Sequence, residues 1–316
     1  MAQLLYRVTP EVDFRRLREN VERHCGGVDP ASICGGKHNQ AHFFMDEGMV
    51  EFKDGRSKSQ LCLLASAPVL DRSRLDLSLS QTWNWSEAKA DVDRCSSALV
   101  AVDFAAAPLG AQTRSKLFLG FVRAVLETVP AEAVHFMNSQ IVVDPNRFLR
   151  EQDGSVSDRM QSAINVRLFR IEGGECECLM DTMGLGVLGL PDIQCHFRDL
   201  DCRAVANKLY GVAVHLFQNG DVVQDGETIP GLEVGENWCC QHEMALVGPE
   251  RVVLDLNPGS PHAAGGRYWE KRARHTVWHA ARAMRLNIGV RISRGKPRSS
   301  VMEPCLPRSS APGTSR

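Results

Sequence analysis

The sequence predicts an α+β protein of two ferredoxin-like modules with antiparallel sheets, followed by a basic C-terminal extension. Three observations predict it. Apolar runs of strand length alternate with runs of helical period in the order β-α-β-β-α-β, the ferredoxin-like pattern, and the second half reads β-α-β-β-α-β-β. A glycine pair, Gly173-Gly174, separates two strand-like runs in the middle of the chain. Beyond Pro258 the apolar pattern gives way to basic and then Gly-, Pro-, Ser- and Arg-rich sequence. The expected division is 1–110 for the first module, 111–258 for the second and 259–316 for the extension. Disorder is expected from about residue 293, where the composition buries too little apolar area to offset ordering entropy.

In the first module Leu4 to Val8 reads as a strand. Pro10 opens a helix that carries Val12, Leu17, Val21 and Cys25 near helical spacing and ends at Gly26-Gly27. Val28 to Gln40 is turn-rich. His42 to Asp46 and Met49 to Lys53 read as a hairpin or one bent strand, and Gln60 to Ala67 as a strong strand. Ser86 to Cys95 is a short helix capped at or just before Ser86, and Ala98 to Phe104 is a buried strand. Gln112 to Val129 places Leu117, Phe121, Val125 and Val129 at intervals of four, a long amphipathic helix linking the halves. The second module continues with a strand at Ala133 to Val143, a short helix at Pro145 to Gln152 and a polar loop at Asp153 to Asp158. After the central hairpin comes a long helix at Asp199 to Gln218, with Val205, Leu209, Val212 and Leu216 aligned. Trp238 to Val247 and Arg251 to Leu256 form a last hairpin around Gly248-Pro249.

The central stretch, Ile164 to Asp192, organises the rest. A two-residue Gly173-Gly174 loop sets Glu172 opposite Glu175, Arg170 opposite Glu177, Phe169 opposite Cys178 and Leu168 opposite Leu179. Alternation then puts Phe169, Ile171, Cys176, Cys178 and Met180 on one face as core residues. Arg170, Glu172, Glu175 and Glu177 take the other face, with an Arg170–Glu177 cross-strand pair worth about 0.2 to 1 kcal/mol.

Hydrophobic residues make up 43% of the chain, enough for a core that needs no staples. A net charge of -1 and a pI near 6.8 give no global bias toward nucleic acid or an anionic membrane. Only the basic stretch Arg267 to Arg294 could meet nucleic acid. No secretory signal and no run of about 18 apolar residues is visible, so a soluble cytoplasmic protein is expected. Eleven cysteines is an odd count in a long chain without such a signal, which favours reduced core thiols over a disulfide framework.

Several groups invite chemistry. Cys176, Cys178, Cys195, His196, Cys202, Cys239, Cys240 and His242 are zinc-ligand types, but the usual CxxC and HxxxH spacings are missing, and sequence does not say whether they converge. Cys25 beside His24, and Cys34 near His38, lack the orienting third group a thiol nucleophile needs. Gly184-Leu185-Gly186-Val187-Leu188-Gly189 mimics the dinucleotide GxGxxG, yet Leu190-Pro191-Asp192 follows where a helix should run, so packing or a bulged strand exit is expected. Trp83-Asn84-Trp85 concentrates aromatics in a chain with only 6% of them. Trp83 and Trp85 are either partner anchors or a staple for the helix that follows. Asp103, Asp144 and Asp181 are isolated acids, and no catalytic residue, cofactor or metal is assigned.

MDTMGLGVLGLPDIQ, preceded by INVRLFRIEGG and followed by a long helix and VVQDGETI, resembles the bacterial family of domain of unknown function 4261. The upstream QTWNWSEAKADVDRC, ALVAVDF and VHFMNSQIVVDPNRFL resemble the segment that precedes that domain in longer members. Gly184, Leu185, Leu188, Gly189, Leu190 and Pro191 match the motif. The resemblance implies no established activity, and the sequence after Pro258 departs from it. The expectation is a bacterial binding or accessory protein whose partner is another protein, acting without a cofactor. Alternatives are a hydrolase or transferase with an unrecognised site, or a zinc-stabilised module. A deep pocket holding two titratable groups within hydrogen-bond reach would favour an enzyme.

Overall fold

The computed structural model describes residues 1–34, 40–53, 55–65, 75–171 and 176–264. The apolar strand β1 (Ala2–Tyr6) is almost wholly buried. Helix α1 (Phe14–Cys25) starts later than Pro10 because the Asp13 carboxylate accepts the N–H groups of Arg15 and Arg16 and so fixes the N-cap. Strands β2 (Ile33–Cys34), β3 (Ala41–Phe52) and β4 (Gly55–Ala65) form a meander, and β3 is a single bent strand whose register shifts between Phe44 and Met49. Helices α2 (Asp76–Ser80) and α3 (Ala88–Asp93) precede β5 (Ser97–Phe104) and the long α4 (Ala111–Thr128). Then come β6 (Ala133–Phe136), β7 (Ile141–Val143), α5 (Pro145–Gln152) and α6 (Val156–Met160). The run read as a polar loop is therefore partly helical, started by a Ser155–Asp158 capping box.

The remaining elements are β8 (Asn165–Arg170), β9 (Glu177–Met183), β10 (Asp192–Arg198), α7 (Cys202–Asn219), β11 (Thr228–Pro230), β12 (Asn237–Met244) and β13 (Val252–Asn257). They form a mixed sheet in the order β11-β12-β13-β10-β9-β8, in which β10 and β13 run parallel. The first sheet has the order β2-β3-β4-β5-β1-β6-β7 and is antiparallel throughout its described pairs. The architecture is α+β with two sheets.

Three expectations need correction. Strands β6 and β7, read as opening the second module, complete the first sheet against β1, so the sheets divide after Val143 rather than at 110/111. The second sheet is not antiparallel throughout, because β10 and β13 pair in parallel, whereas in the first sheet β4-β5-β1-β6 are antiparallel neighbours with α1 and α4 packed together. The central hairpin is out of the expected register by one residue: Arg170 faces Cys178, Phe169 faces Leu179 and Leu168 faces Met180. Cys176 adopts φ 52 and is consumed by the turn, while the Ile171 N–H donates to the Glu177 carbonyl. A slip of one exchanges the two faces. The Arg170–Glu177 pair does not form, and Glu177 lies 2.7 Å from His196 Nε2 instead. Cys176 is exposed rather than a core thiol, and Cys178 turns to the face of Leu168 and Met180, where α7 packs. Gly173-Gly174 and the basic extension from Arg267 lie outside the described residues.

Helices α1 and α4 cover one face of the first sheet, α7 covers one face of the second, and α4 meets α7. One apolar core therefore runs from Leu4, Phe43 and Phe121 through Leu209 and Leu216 to Trp238 and Leu254. A smaller cluster on the opposite face of the first sheet joins Leu5, Leu75, Val92, Cys95 and Val142, with Trp85 against it. Among the described residues no helix is long and apolar enough to cross a membrane.

Candidate functional site

The first sheet ends at β7 and the second at β8, so each leaves one strand edge without a partner strand among the described residues. The segment 81–85 fills the space between these edges. Gln81, buried at the end of α2, uses its side-chain amide as a strand would: its Oε1 accepts the Leu168 N–H at 3.1 Å and its Nε2 donates to the Leu168 carbonyl at 3.3 Å. Thr82 Oγ1 donates to the Ser78 carbonyl at 2.8 Å and reaches the Val142 carbonyl at 3.5 Å. The two tryptophans that follow take different positions. Trp85 is half-buried against the cluster of Leu5, Val92 and Val142, whereas Trp83 is 42% exposed.

Around them lie two adjoining hollows of about 280 and 190 Å³ that share Asn84, Ile141 and Gln161. The first is walled by Trp83, Val166, Asn207 and Tyr210, the second by Trp85, Arg147 and Arg150. Tyr210 donates to the Ser157 carbonyl at 2.5 Å, and burial pushes its phenol well above the usual range, so it is a neutral donor. Arg147 is held by Glu151 at 2.6 Å and by Gln161 at 2.7 Å. The groove thus offers aromatic, guanidinium and amide groups, with the carboxylate of Glu151 paired to Arg147 and that of Asp144 spent on capping α5.

A larger cleft of about 670 Å³ lies among α1, α4, α6 and α7, walled by His24, Lys116, Arg123 and Arg159, and among the described residues no carboxylate lines it. His24 Nε2 is 2.7 Å from Glu127, which also accepts from Arg123 Nε at 2.8 Å. Burial opposes ionisation of Glu127, but its hydrogen bonds to Arg123 and His24 outweigh it and hold the carboxyl below its ordinary value. Its oxygens are already occupied, which suits an ion-pair anchor rather than a general base. Neighbouring Cys25 is buried, and desolvation pushes its thiol up to about 12. His38 and the Cys34 side chain lie outside the described residues.

The glycine motif closes β9 and leads through a 3-10 turn, Gly186–Leu188, into β10. Gly184 has φ 134, and a Cβ there would stand 2.0 Å from the Ala163 carbonyl oxygen, so only glycine fits. Gly189, at φ 78, ends the turn. Leu185 is fully buried, Leu188 and Leu190 pack on the core, and Pro191 is buried. The Leu185 N–H donates to Asp192 Oδ1 at 3.0 Å, so the loop is turned inward on a carboxylate. Beneath it Asp181 receives Arg167 at 2.5 and 2.8 Å and Arg251 at 2.7 Å, and Arg251 is 3.3 Å from Asp192. Two cations and two carboxylates balance here, with Arg167 1% and Asp181 0% exposed. Burial raises the Asp192 carboxyl to about 6 against the pull of Arg251.

The segment from Asp181 through β13 is thus one unit of motif, charge cluster, helix and strands. Residues 181–257 match the family model described as Domain of unknown function (DUF4261). No curated protein and no solved structure matches the chain. The DUF4261 segment takes in all of the second sheet except β8 and the start of β9, and leaves the Trp83 groove largely outside. Within and beside it, the zinc-type side chains are spread apart. Cys195 and Cys240 are buried, Cys239 is half-buried, and His242 sits between Asp221 at 3.0 Å and Asp225 at 2.8 Å. Among the described residues no three His, Cys, Asp or Glu side chains gather as metal ligands. The three isolated acids have local roles: Asp103 pairs with Arg114 at 2.6 Å, Asp144 caps α5, and Asp181 is the centre of the charge cluster. Gln81, Tyr210 and the two arginines had no signal in the sequence, since their meeting depends on two sheet edges lying side by side.

Proposed function

We propose that this DUF4261-like chain is a non-enzymatic binding or accessory protein that engages another protein through the groove around Trp83. In this reading the partner lays an extended segment along the hollows beside Trp83 and Tyr210, over the segment that fills the space between the two sheet edges, and the protein works in the bacterial cytoplasm. The observation that carries the proposal is the division of labour between the tryptophans: Trp85 is spent on packing, while Trp83 presents 42% of its surface beside Tyr210. Tryptophan, tyrosine and arginine supply most interface hot spots. The amides of Asn84, Asn207 and Gln161 can each donate and accept, which suits the alternating groups of a peptide backbone.

The test is affinity capture from the native host, with partners identified by mass spectrometry. Trp83→Ala should weaken capture by about 2 kcal/mol, roughly 30-fold, with little change in melting temperature. Trp85→Ala should lower the melting temperature. Capture of the same partners with undiminished affinity by folded Trp83→Ala protein would overturn the reading.

A further inference from the structure

The cleft among α1, α4, α6 and α7 has two chemically different ends. At one end Arg123 Nη1 donates to Asp153 at 2.7 Å and Arg159 Nη1 to the Gly154 carbonyl at 2.8 Å, so both guanidinium groups sit at the turn after α5, beside Gln152. Arg123 is held by Asp153 and Glu127. Arg159 has no carboxylate within ion-pair distance among the described residues, the adjacent Asp158 being occupied by Ser155. Gln152 Nε2 is buried and has no hydrogen-bond partner among the described residues. Buried donors are nearly always satisfied, so one on the wall of a cleft marks where an acceptor is received. At the other end Gln112 Nε2 donates to the Gln218 carbonyl at 3.0 Å, in the last turn of α7 beside Phe217. Lys116 lies one turn along α4 from Gln112 and pairs only loosely with Glu47, at 3.5 Å between two exposed side chains. Between the ends the floor is apolar, built from Leu119, Val156 and Met160.

We propose that this cleft binds a ribonucleoside diphosphate, with the phosphates at Arg159 and Gln152 and the base at Phe217 and the amides of Gln112 and Gln218. A volume of about 670 Å³ suits a whole organic ligand, and an inorganic anion would leave most of it empty. On α4 Gln112 and Arg123 stand about three turns, or about 16 Å, apart, the span of a base, a ribose and two phosphates. Phosphate fits the donor end better than a carboxylate, because it brings more acceptor oxygens to Arg159 and the Gln152 amide and a second negative charge to meet Lys116. The opposite end is neutral. Its helix-terminal carbonyls accept from the amino or imino groups of a base, and glutamine amides both donate and accept along a base edge. The cleft shares no lining residue with the groove around Trp83, so this reading does not depend on the groove's having a partner.

The experiment titrates the full chain by calorimetry with ADP, GDP, CDP and UDP, and with the matching nucleosides and inorganic pyrophosphate as partial ligands. At least one diphosphate should bind with a micromolar Kd, and its nucleoside and pyrophosphate at least about 10-fold more weakly. Arg159→Gln should weaken that nucleotide by about 10-fold or more, and Lys116→Gln should weaken it and flatten its salt dependence. Gln152→Leu should also weaken it, while the melting temperature without ligand holds or rises, because the donor removed has no partner in the free protein. A merely structural glutamine would lower that temperature. Trp83→Ala should bind the nucleotide as native protein does. The proposal is overturned if none of the four diphosphates binds at about 1 mM, if pyrophosphate binds as tightly as the best of them, or if Arg159→Gln and Gln152→Leu leave the affinity unchanged.

Discussion

His135 is buried on β6 between Ser78 Oγ at 3.0 Å and Gln3 Oε1 at 3.2 Å, and burial lowers its pKa to about 4. For His242 burial acts in the same direction, but hydrogen bonds to Asp221 and Asp225 outweigh it and raise the pKa. The consequences for stability have opposite sign. His135, depressed in the folded state, contributes stability that is complete above the unfolded value of 6.5 and is lost as pH falls toward about 4. His242, raised in the folded state, contributes stability that is complete below 6.5 and is lost as pH rises through its folded value. NMR titration of the imidazoles should show His135 neutral at pH 5.5, about 1.5 units above its folded value, and His242 still charged where an ordinary histidine has lost its proton. The opposite order would refute both assignments. His135 does not stand out in the sequence and His242 does so only as a zinc-ligand type, because the groups that set the charge of each lie elsewhere along the chain. Gly184 was legible as one of three motif glycines, but the Ala163 carbonyl that demands it was not.

At the level of elements, the Gln81 side chain caps the β8 edge at Leu168. Gln81→Leu keeps the volume of a buried residue and removes both hydrogen bonds to Leu168, leaving a buried N–H and C=O without that partner. Each such group costs about 1 to 3 kcal/mol, so denaturant midpoints should fall with little change in m. A midpoint within error of the native one would mean that water replaces the amide without loss. Most elements were legible from period and caps, including α1, α4, α5, α7, β4, β5 and β13. Others were hidden for physical reasons. Strand β10 carries Asp192 and Gln194 at buried positions, which break its apolar pattern but are satisfied by Thr182, Arg251, Glu243 and Asp255. The hairpin register failed because Cys176 takes a left-handed turn conformation, which the glycine pair beside it did not announce.

For the whole molecule, the continuous core joining Phe121 of α4 to Leu209 of α7 argues against independent halves. Unfolding should therefore be one transition. Tryptophan fluorescence, with Trp83 and Trp85 in the first half and Trp238 in the second, should coincide with far-ultraviolet circular dichroism along a denaturant series. A fragment of residues 1–143 should fail to fold cooperatively, because α4 would expose the face that meets α7. Two separated transitions, or a cooperative fragment, would contradict a shared core.

From its sequence alone the chain has an α+β composition, long helices with defined apolar faces, a DUF4261-like segment carried by the GLGVLGLP phrase, and a tryptophan pair worth attention. Each of these is written locally, in side-chain period, cap residues and motif spacing. Tertiary structure alone decided that β6 and β7 join the first sheet, that Trp83 is exposed and Trp85 packed, and that Arg167, Asp181, Asp192 and Arg251 meet in one charge cluster. Those outcomes rest on which strand edge satisfies which backbone group and which face buries the most apolar surface. Such long-range choices leave no mark on the residues adjacent in the chain.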